Sequence, residues 1–162
     1  MTIAKTWFCN MVHSYQSDLY RLAFHILKNK EDAEDAVQET LYRAYSSLGT
    51  LANPKYFKTW VIRILMNTAF EIQRKRKNNV DITDCAEIAS QPEDITTAVM
   101  LEKAINGLDE KYRTIILLYY YENYSAKEIS EILNISAMNV KQRLSRSRKM
   151  LKGILSGHGK GV

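Results

Sequence analysis

Residues 125–152 read SAKEISEILNISAMNVKQRLSRSRKMLK, and the rest of the chain is organised around them. Two short helical patterns are separated by a tight turn. Ser125 is placed to cap the first helix, with Glu128 three residues on to close a capping box. Ile129, Ile132 and Leu133 form the buried side of that helix. The apolar pattern breaks at Asn134, a residue that tolerates a left-handed turn, and Ser136 can cap the second helix. In that second helix Val140, Leu144 and Leu151 recur on one side, while Lys141, Gln142, Ser145, Arg146 and Lys149 point away. Every charged residue from Ala137 to Lys152 is basic: Lys141, Arg143, Arg146, Arg148, Lys149 and Lys152. A merely solvated helix normally mixes signs for i,i+4 support. The pattern is that of a helix-turn-helix whose second helix enters the major groove of DNA.

Helical periodicity assigns roles on that second helix. Gln142, Ser145 and Arg146 fall on the groove-facing side with Lys141 at its edge, and an exposed Gln amide suits adenine. Arg143 and Arg148 fall nearer the flanks, toward phosphates. Lys149 lies a turn further along, where the helix leaves the groove. The competing interpretation is a plain basic helical hairpin that never meets nucleic acid.

The chain has 162 residues, enough for one ordinary domain or two small ones, and 46% of them are hydrophobic, which excludes a disordered chain. Only 6 glycines and 2 prolines favour a mostly helical protein with short connections. A formal charge of +5 and a pI near 9.1 suit a polyanion partner or an anionic membrane surface. The charges are also partitioned: Glu31, Asp32, Glu34, Asp35 and Glu39 cluster without a base among them, whereas 74–77 is RKRK. Cys9 and Cys85 are far apart and outside any CxxC or His-rich setting, so neither a disulfide framework nor a zinc site is expected. The start MTIAKTWFCN has no signal-peptide core, and no window reaches the ~18 apolar residues of a membrane span. A cytoplasmic protein without membrane insertion is expected.

In the amino half, Trp7, Phe8, Val12, Tyr15, Leu19, Leu22, Ala23 and Ile26 recur at helical spacing, ending near Lys28-Asn29. His13 and His25 lie in or beside this pattern with no ligand cluster around them, and are taken as structural or surface residues. The next helix begins at Lys30 or Glu31 with acids at the positive end of its dipole. Ala33, Ala36, Val37, Leu41 and Ala44 give it a narrow apolar stripe, from which Asp32, Asp35, Gln38, Glu39 and Arg43 point away. Those acids suit either a solubilising surface or a docking face for a basic protein. After SSLGTLANPKYF breaks the pattern, Asn53-Pro54 restarts it. The helix beyond it is expected to bury Phe57, Trp60, Val61, Ile64, Leu65, Ala69 and Ile72, and it ends in RKRKNN. A basic helix end beside an aromatic-containing loop can grip single-stranded DNA through phosphates and stacking.

Residues 80–97 (VDITDCAEIASQPEDITT) carry acids, a proline and no sustained apolar period, the character of an acidic, flexible linker. From Val99 the pattern resumes with Leu101, Ala104, Ile105 and Leu108. Asp109 is placed to cap the next helix, which carries Tyr112 and Ile115 to Leu118. The run Tyr119-Tyr120-Tyr121 is expected in the core rather than as a stacking platform. Past Leu155 the glycine-rich tail 156–162 is expected to fray. The fold class is therefore all-α, with helical domains at 1–79 and 98–155. No P-loop, HExxH, GxSxG or dinucleotide fingerprint is present, and Asp32 and Asp35 lack a flanking base, so no catalytic residue, cofactor or metal is assigned.

Both halves together resemble a sigma factor of bacterial RNA polymerase, of the extracytoplasmic-function (ECF) subfamily that keeps only two conserved helical domains. The stretches that carry the resemblance are DAEDAVQETLYRAY (32–45), FKTWVIRILMNTAFEIQRKRK (57–77) and LDEKYRTIILLYYYENYSAKEISEILNISAMNVKQRLSRSRKML (108–151). It implies that Asp32, Asp35, Gln38 and Glu39 dock on core polymerase. It also implies that Asn53, Lys55, Tyr56 and Asn67, with Arg74, Lys75, Arg76 and Lys77, recognise and hold the melted downstream (−10) element. The helix from Ala137 would meet the upstream (−35) element through Lys141, Gln142, Arg143, Ser145, Arg146, Arg148 and Lys149. Partners implied are core RNA polymerase, double- and single-stranded promoter DNA and an anti-sigma factor. The loop SLGTLANPKY departs from the family in having few charges, so the captured downstream base is not carried over. Two other classes stay in view: a helix-turn-helix regulator binding a palindrome as a dimer, and an adaptor whose basic helices meet acidic proteins.

Overall fold

The computed structural model describes residues 2–79 and 97–160, and among them seven α-helices are joined by turns without a strand. The chain divides into two compact units, Met1–Asp81 and Ile82–Val162. Apart from Thr97, the expected linker lies outside the described residues.

The first unit holds α1 (Thr2–Leu27), α2 (Lys30–Ser46) and α3 (Phe57–Asn79), each packed on the other two. Lys28 adopts a left-handed backbone (φ 57°), and the Asn29 side chain accepts from the Asp32 N–H at 2.9 Å, so the turn into α2 takes only two residues. Ala33, Ala36 and Ala44 are fully buried and let neighbouring backbones approach closely, Val37 is buried with them as expected, and the further buried residue is Thr40 rather than Leu41. Two short 3₁₀ turns, Leu48–Thr50 and Pro54–Tyr56, lead into α3. Asn53 caps the second of them, accepting from the Lys55 N–H at 2.9 Å. Phe57, the first residue of α3, anchors the unit. Its ring meets Trp7 and Phe8 edge-on at 5.4 and 6.0 Å and stacks with Tyr15 at 6.1 Å.

The buried face of α3 differs from the expected one. Ile62 and Met66 are buried with Phe57, Val61, Leu65 and Ala69, while Trp60, Ile64 and Ile72 are half-buried at the edge. A helix held by two neighbours buries a broader face than the single stripe that periodicity suggests, and here that face is rotated away from Trp60.

The second unit holds α4 (Thr97–Asn106), α5 (Glu110–Ile116), α6 (Ala126–Leu133) and α7 (Ala137–Lys160). Its lower core joins Ile105, Leu108, Tyr112 and Ile116, against which Leu151 and Ile154 of α7 pack. Val99 and Leu101 stay exposed, so only the last part of the α4 pattern is core. Asp109 stands at the α5 N-cap, but its side chain caps nothing, and its carbonyl receives the N–H groups of Tyr112 and Arg113 instead.

Beyond Ile116 the helix widens into a π-type turn, Leu117–Tyr121, closed by the Glu122 N–H on the Leu117 carbonyl at 3.0 Å. This turn corrects the expectation for the tyrosine run: Leu117, Leu118 and Tyr124 are buried, whereas Tyr120 and Tyr121 are exposed and Tyr119 is half-buried. The extra residue in the turn carries the three rings off the core side. The carboxy end also differs, since α7 continues through Gly153 and Gly157 to Lys160 rather than ending at Leu155. With Leu151 and Ile154 anchored and no proline to stop it, the helix absorbs glycines that cost about 1 kcal/mol each.

Candidate nucleic-acid interface

The turn of the helix-turn-helix is built from local side chain to backbone bonds. Ser125 Oγ accepts from the Glu128 N–H at 3.1 Å while Glu128 Oε1 accepts from the Ser125 N–H at 3.0 Å. Asn134 takes φ 57°, and Ser136 Oγ accepts from the Asn139 N–H at 3.0 Å, which starts α7 at Ala137. Ile129 and Ile132 of α6 are buried, as are Val140 and Leu144 of α7. With those two inward, Lys141, Gln142, Ser145, Arg146 and Lys149 are exposed.

The arginines of α7 are not equivalent. Arg143 is half-buried and its Nε donates to Asn139 Oδ1 at 3.2 Å. The Arg146 guanidinium, and Lys111 after it, favour the charged form of the Tyr112 phenol and hold it below its ordinary range. Arg148 faces the tyrosine run: its Nε donates to Tyr120 Oη at 2.6 Å and its guanidinium lies 5.6 Å from the centroids of both the Tyr119 and Tyr120 rings. That engagement turns Arg148 toward the wall of an apolar groove of about 770 Å³, lined by Leu101, Ile105, Ile116, Leu151 and Leu155. Met138 was not expected from sequence. It is 70% exposed one turn before Gln142, an apolar side chain of the kind that can meet a thymine methyl. Its i−4 spacing from Gln142 was the available signal.

In the first unit, Asn53, Lys55 and Tyr56 are exposed at the start of α3, and Asn67 is exposed along it. Trp60, Arg63, Asn67 and Arg74 follow at intervals that place them on one outward side, so Trp60 and Arg63 join residues found from sequence. Among the basic run, Arg74, Lys75 and Lys77 are exposed. Arg76 is used differently, because its Nη1 donates to the Leu27 carbonyl at 2.9 Å and pairs with Asp32 Oδ2 at 3.1 Å. Gln73 Nε2 reaches the Ile26 carbonyl at 3.4 Å, so the end of α3 caps the end of α1.

That bond also moves Asp32 out of the acidic face. Its side chain is only 25% exposed and turned toward Arg76, whereas Asp35, Gln38 and Glu39 stand outward on α2. Tyr42, 70% exposed, lies one turn beyond Gln38 on the same side. Glu39 Oε1 accepts from Arg43 Nε at 2.9 Å, and Arg43 Nη1 reaches Glu71 Oε2 at 2.5 Å and Thr68 Oγ1 at 3.3 Å on α3. Glu71, and after it Glu39, push the Arg43 guanidinium further above its ordinary range. Among the described residues, no group of His, Cys, Asp and Glu could hold a metal ion, and no helix is long and apolar enough to cross a membrane.

The sigma-70 region 2 family model matches residues 11–79 and the sigma-70 region 4 model matches residues 98–151. A three-helix unit with an acidic face and a basic end, followed by a basic helix-turn-helix, thus defines a sigma-70-type initiation factor. The RNA polymerase sigma factor SigV of Bacillus subtilis is 37% identical over 143 residues, spanning 87% of this chain and 86% of the relative. The ECF RNA polymerase sigma factor SigW of the same organism is 34% identical over 164 residues, spanning 90% and 87%. Among solved structures, the Bartonella quintana sigma factor RpoE, in complex with the anti-sigma factor NepR, matches with a TM-score of 0.74 at 26% identity, covering 92% of this chain and 96% of that one. The chain belongs to the ECF sigma factors of RNA polymerase and directs transcription initiation. A dimeric regulator or an adaptor would account for the helix-turn-helix but not for the region 2 match.

Proposed function

We propose a division of labour between the two units. The outward face of α2, Asp35, Gln38 and Glu39 with Tyr42, docks on a basic surface of core polymerase. Asn53, Lys55, Tyr56 and Asn67, joined by Trp60 and Arg63, receive the melted downstream element, while Arg74, Lys75 and Lys77 hold its backbone. On α7, Gln142 and Ser145, with Lys141 at the edge and Met138 ahead of them, meet base edges of the upstream element. Arg146, exposed on the same side, adds a further base contact, Arg143 keeps a flank, and Lys149 lies where the helix leaves the groove. Asp32 and Arg76 support this surface from within by holding α1, α2 and α3 together. The chain works in the cytoplasm, without a catalytic step or cofactor of its own, and the polymerase makes the RNA.

The observation that carries this assignment is the contrast on α2 between fully buried Ala33, Ala36 and Ala44 and an outward side rich in exposed acids, Glu31, Glu34, Asp35 and Glu39. The inward stripe explains the fold, and Asp35 and Gln38 stand exposed on the other side. An anti-sigma factor, the partner in the solved RpoE complex, would compete for the same surfaces. The apolar groove beside Arg148 would suit an apolar helix of such a partner. The experiment is the affinity of Asp35→Lys for core polymerase at two salt concentrations. A loss of about tenfold or more at low salt that narrows at high salt is expected, because exposed charges are screened over roughly 8–10 Å at physiological ionic strength. Unchanged affinity at both salts refutes the docking assignment.

A further inference from the structure

Arg43 sits between the two functional faces of the first unit. It belongs to α2, one turn after Glu39, yet its fork crosses to α3 and meets Thr68 and Glu71. Thr68 directly succeeds Asn67, and Glu71 lies one turn beyond Asn67 on nearly the same side of α3. The Thr68 hydroxyl is held in place by its own bond to the Ile64 carbonyl at 2.8 Å. Arg43, Glu39 and Glu71 are each between 41% and 47% exposed in their side chains, so either ion pair alone would be weak. A planar guanidinium that binds both carboxylates at once fixes direction in a way a single pair does not.

We infer that Arg43 is a positioning residue for downstream-element recognition: by pinning Thr68 and Glu71 to α2, it sets the rotation of α3 that presents Asn67. This rests on the proposed division of labour, and it goes beyond it by naming a side chain that touches neither partner. The hydrophobic contacts between α2 and α3 resist separation of the helices but are non-directional, so small rotations about the α3 axis are left to polar pins. Among the described residues, the bonds that join α2 to α3 beside Asn67 are those of Arg43. Arg76 and Gln73 act further along, at the end of the helix.

The test uses full-length protein with core polymerase and compares core affinity with melting of the downstream element on a promoter whose downstream bases are substituted one at a time. Arg43→Ala should change core affinity less than about threefold, because Glu39 stays exposed and anionic, while discrimination among downstream bases falls on the order of tenfold. Glu71→Ala, which leaves Arg43 on Glu39, should reproduce that loss, and the double variant should be no worse than Arg43→Ala. Glu39→Ala should lower core affinity and reduce downstream discrimination less than Glu71→Ala does, because Arg43 keeps its bonds to Glu71 and Thr68 on α3. Partial recovery in Arg43→Lys, whose ammonium reaches one carboxylate but not both, is also expected. Equal losses of core affinity and discrimination in Arg43→Ala, unchanged discrimination in Glu71→Ala, or multiplied losses in the double variant would overturn the inference. A wild-type chain that fails to melt promoter DNA with core polymerase would instead overturn the division of labour on which it rests.

Discussion

Replacing Arg76 by alanine should act on stability rather than on DNA. In the basic run 74–77, Arg76 is the residue bonded inward, with its Nη1 on the Leu27 carbonyl and on Asp32. A hydrogen bond to a charged group contributes about 1.5–3 kcal/mol net, and an exposed ion pair about 0–1 kcal/mol. The Arg76 side chain is 44% exposed, so solvent screening discounts the sum to about 1–2 kcal/mol. With a urea m-value of about 2 kcal/mol/M, the midpoint of the first unit should fall by about 0.5–1 M. Both tryptophans, Trp7 and Trp60, lie in that unit, so their fluorescence reports its unfolding alone. In complex with core polymerase, Arg76→Ala should leave the salt dependence of promoter binding unchanged. Arg74→Ala should do the reverse, leaving the midpoint in place and reducing the salt slope by about 0.7–0.9, the share of one phosphate contact. If Arg76→Ala keeps the wild-type midpoint and reduces the slope as Arg74→Ala does, Arg76 is a phosphate contact and does not cap α1.

Four further outcomes rest on the packing and the recognition helix. Phe57→Ala should destabilise the first unit by about 3–5 kcal/mol by tryptophan fluorescence, since it empties the ring cluster formed with Trp7, Phe8 and Tyr15. Ser125→Ala should cost the second unit about 1 kcal/mol in tyrosine-monitored or circular-dichroism unfolding, because both bonds of the capping box involve that residue. In the polymerase complex, Gln142→Ala should alter preference among upstream sequences by about 1–3 kcal/mol if its contact is bidentate. Arg148→Ala should alter that preference little and instead loosen α7 from Tyr119 and Tyr120, seen as a lower unfolding midpoint of the second unit.

What could be read directly from the residues was what the chain encodes locally. The capping box at Ser125, the left-handed Asn134 and the Ser136 cap all act within a few positions, so the helix-turn-helix and the inward Val140 and Leu144 were legible. So were the start of α2 at Lys30 and its alanine stripe. The missed features depend on contacts distant in sequence. The bonds of Arg43 to Glu71 and Arg76 to Leu27 span 28 and 49 residues, and without them both arginines look like free surface charge. Trp60 lay on a plausible stripe, but two neighbouring helices rotated the buried face toward Ile62 and Met66. The tyrosine run looked apolar enough for a core, and only a widened turn puts Tyr120 and Tyr121 outside. Charge type marked the surfaces proposed to face partners, and tertiary bonding decided which of those charges stay turned outward.

The most direct test of the central claim is selection of promoters from a library randomised over both elements, with core polymerase and the chain present together or separately. The chain should enrich promoters only with core enzyme, as one copy per polymerase, and the enriched sequences should carry two dissimilar elements at fixed spacing. In that pool, Gln142→Ala should shift only the upstream element, and substitutions at Asn67 only the downstream one. Enrichment of a palindrome by the chain alone, or a single element that responds to variants in both units, would contradict the account.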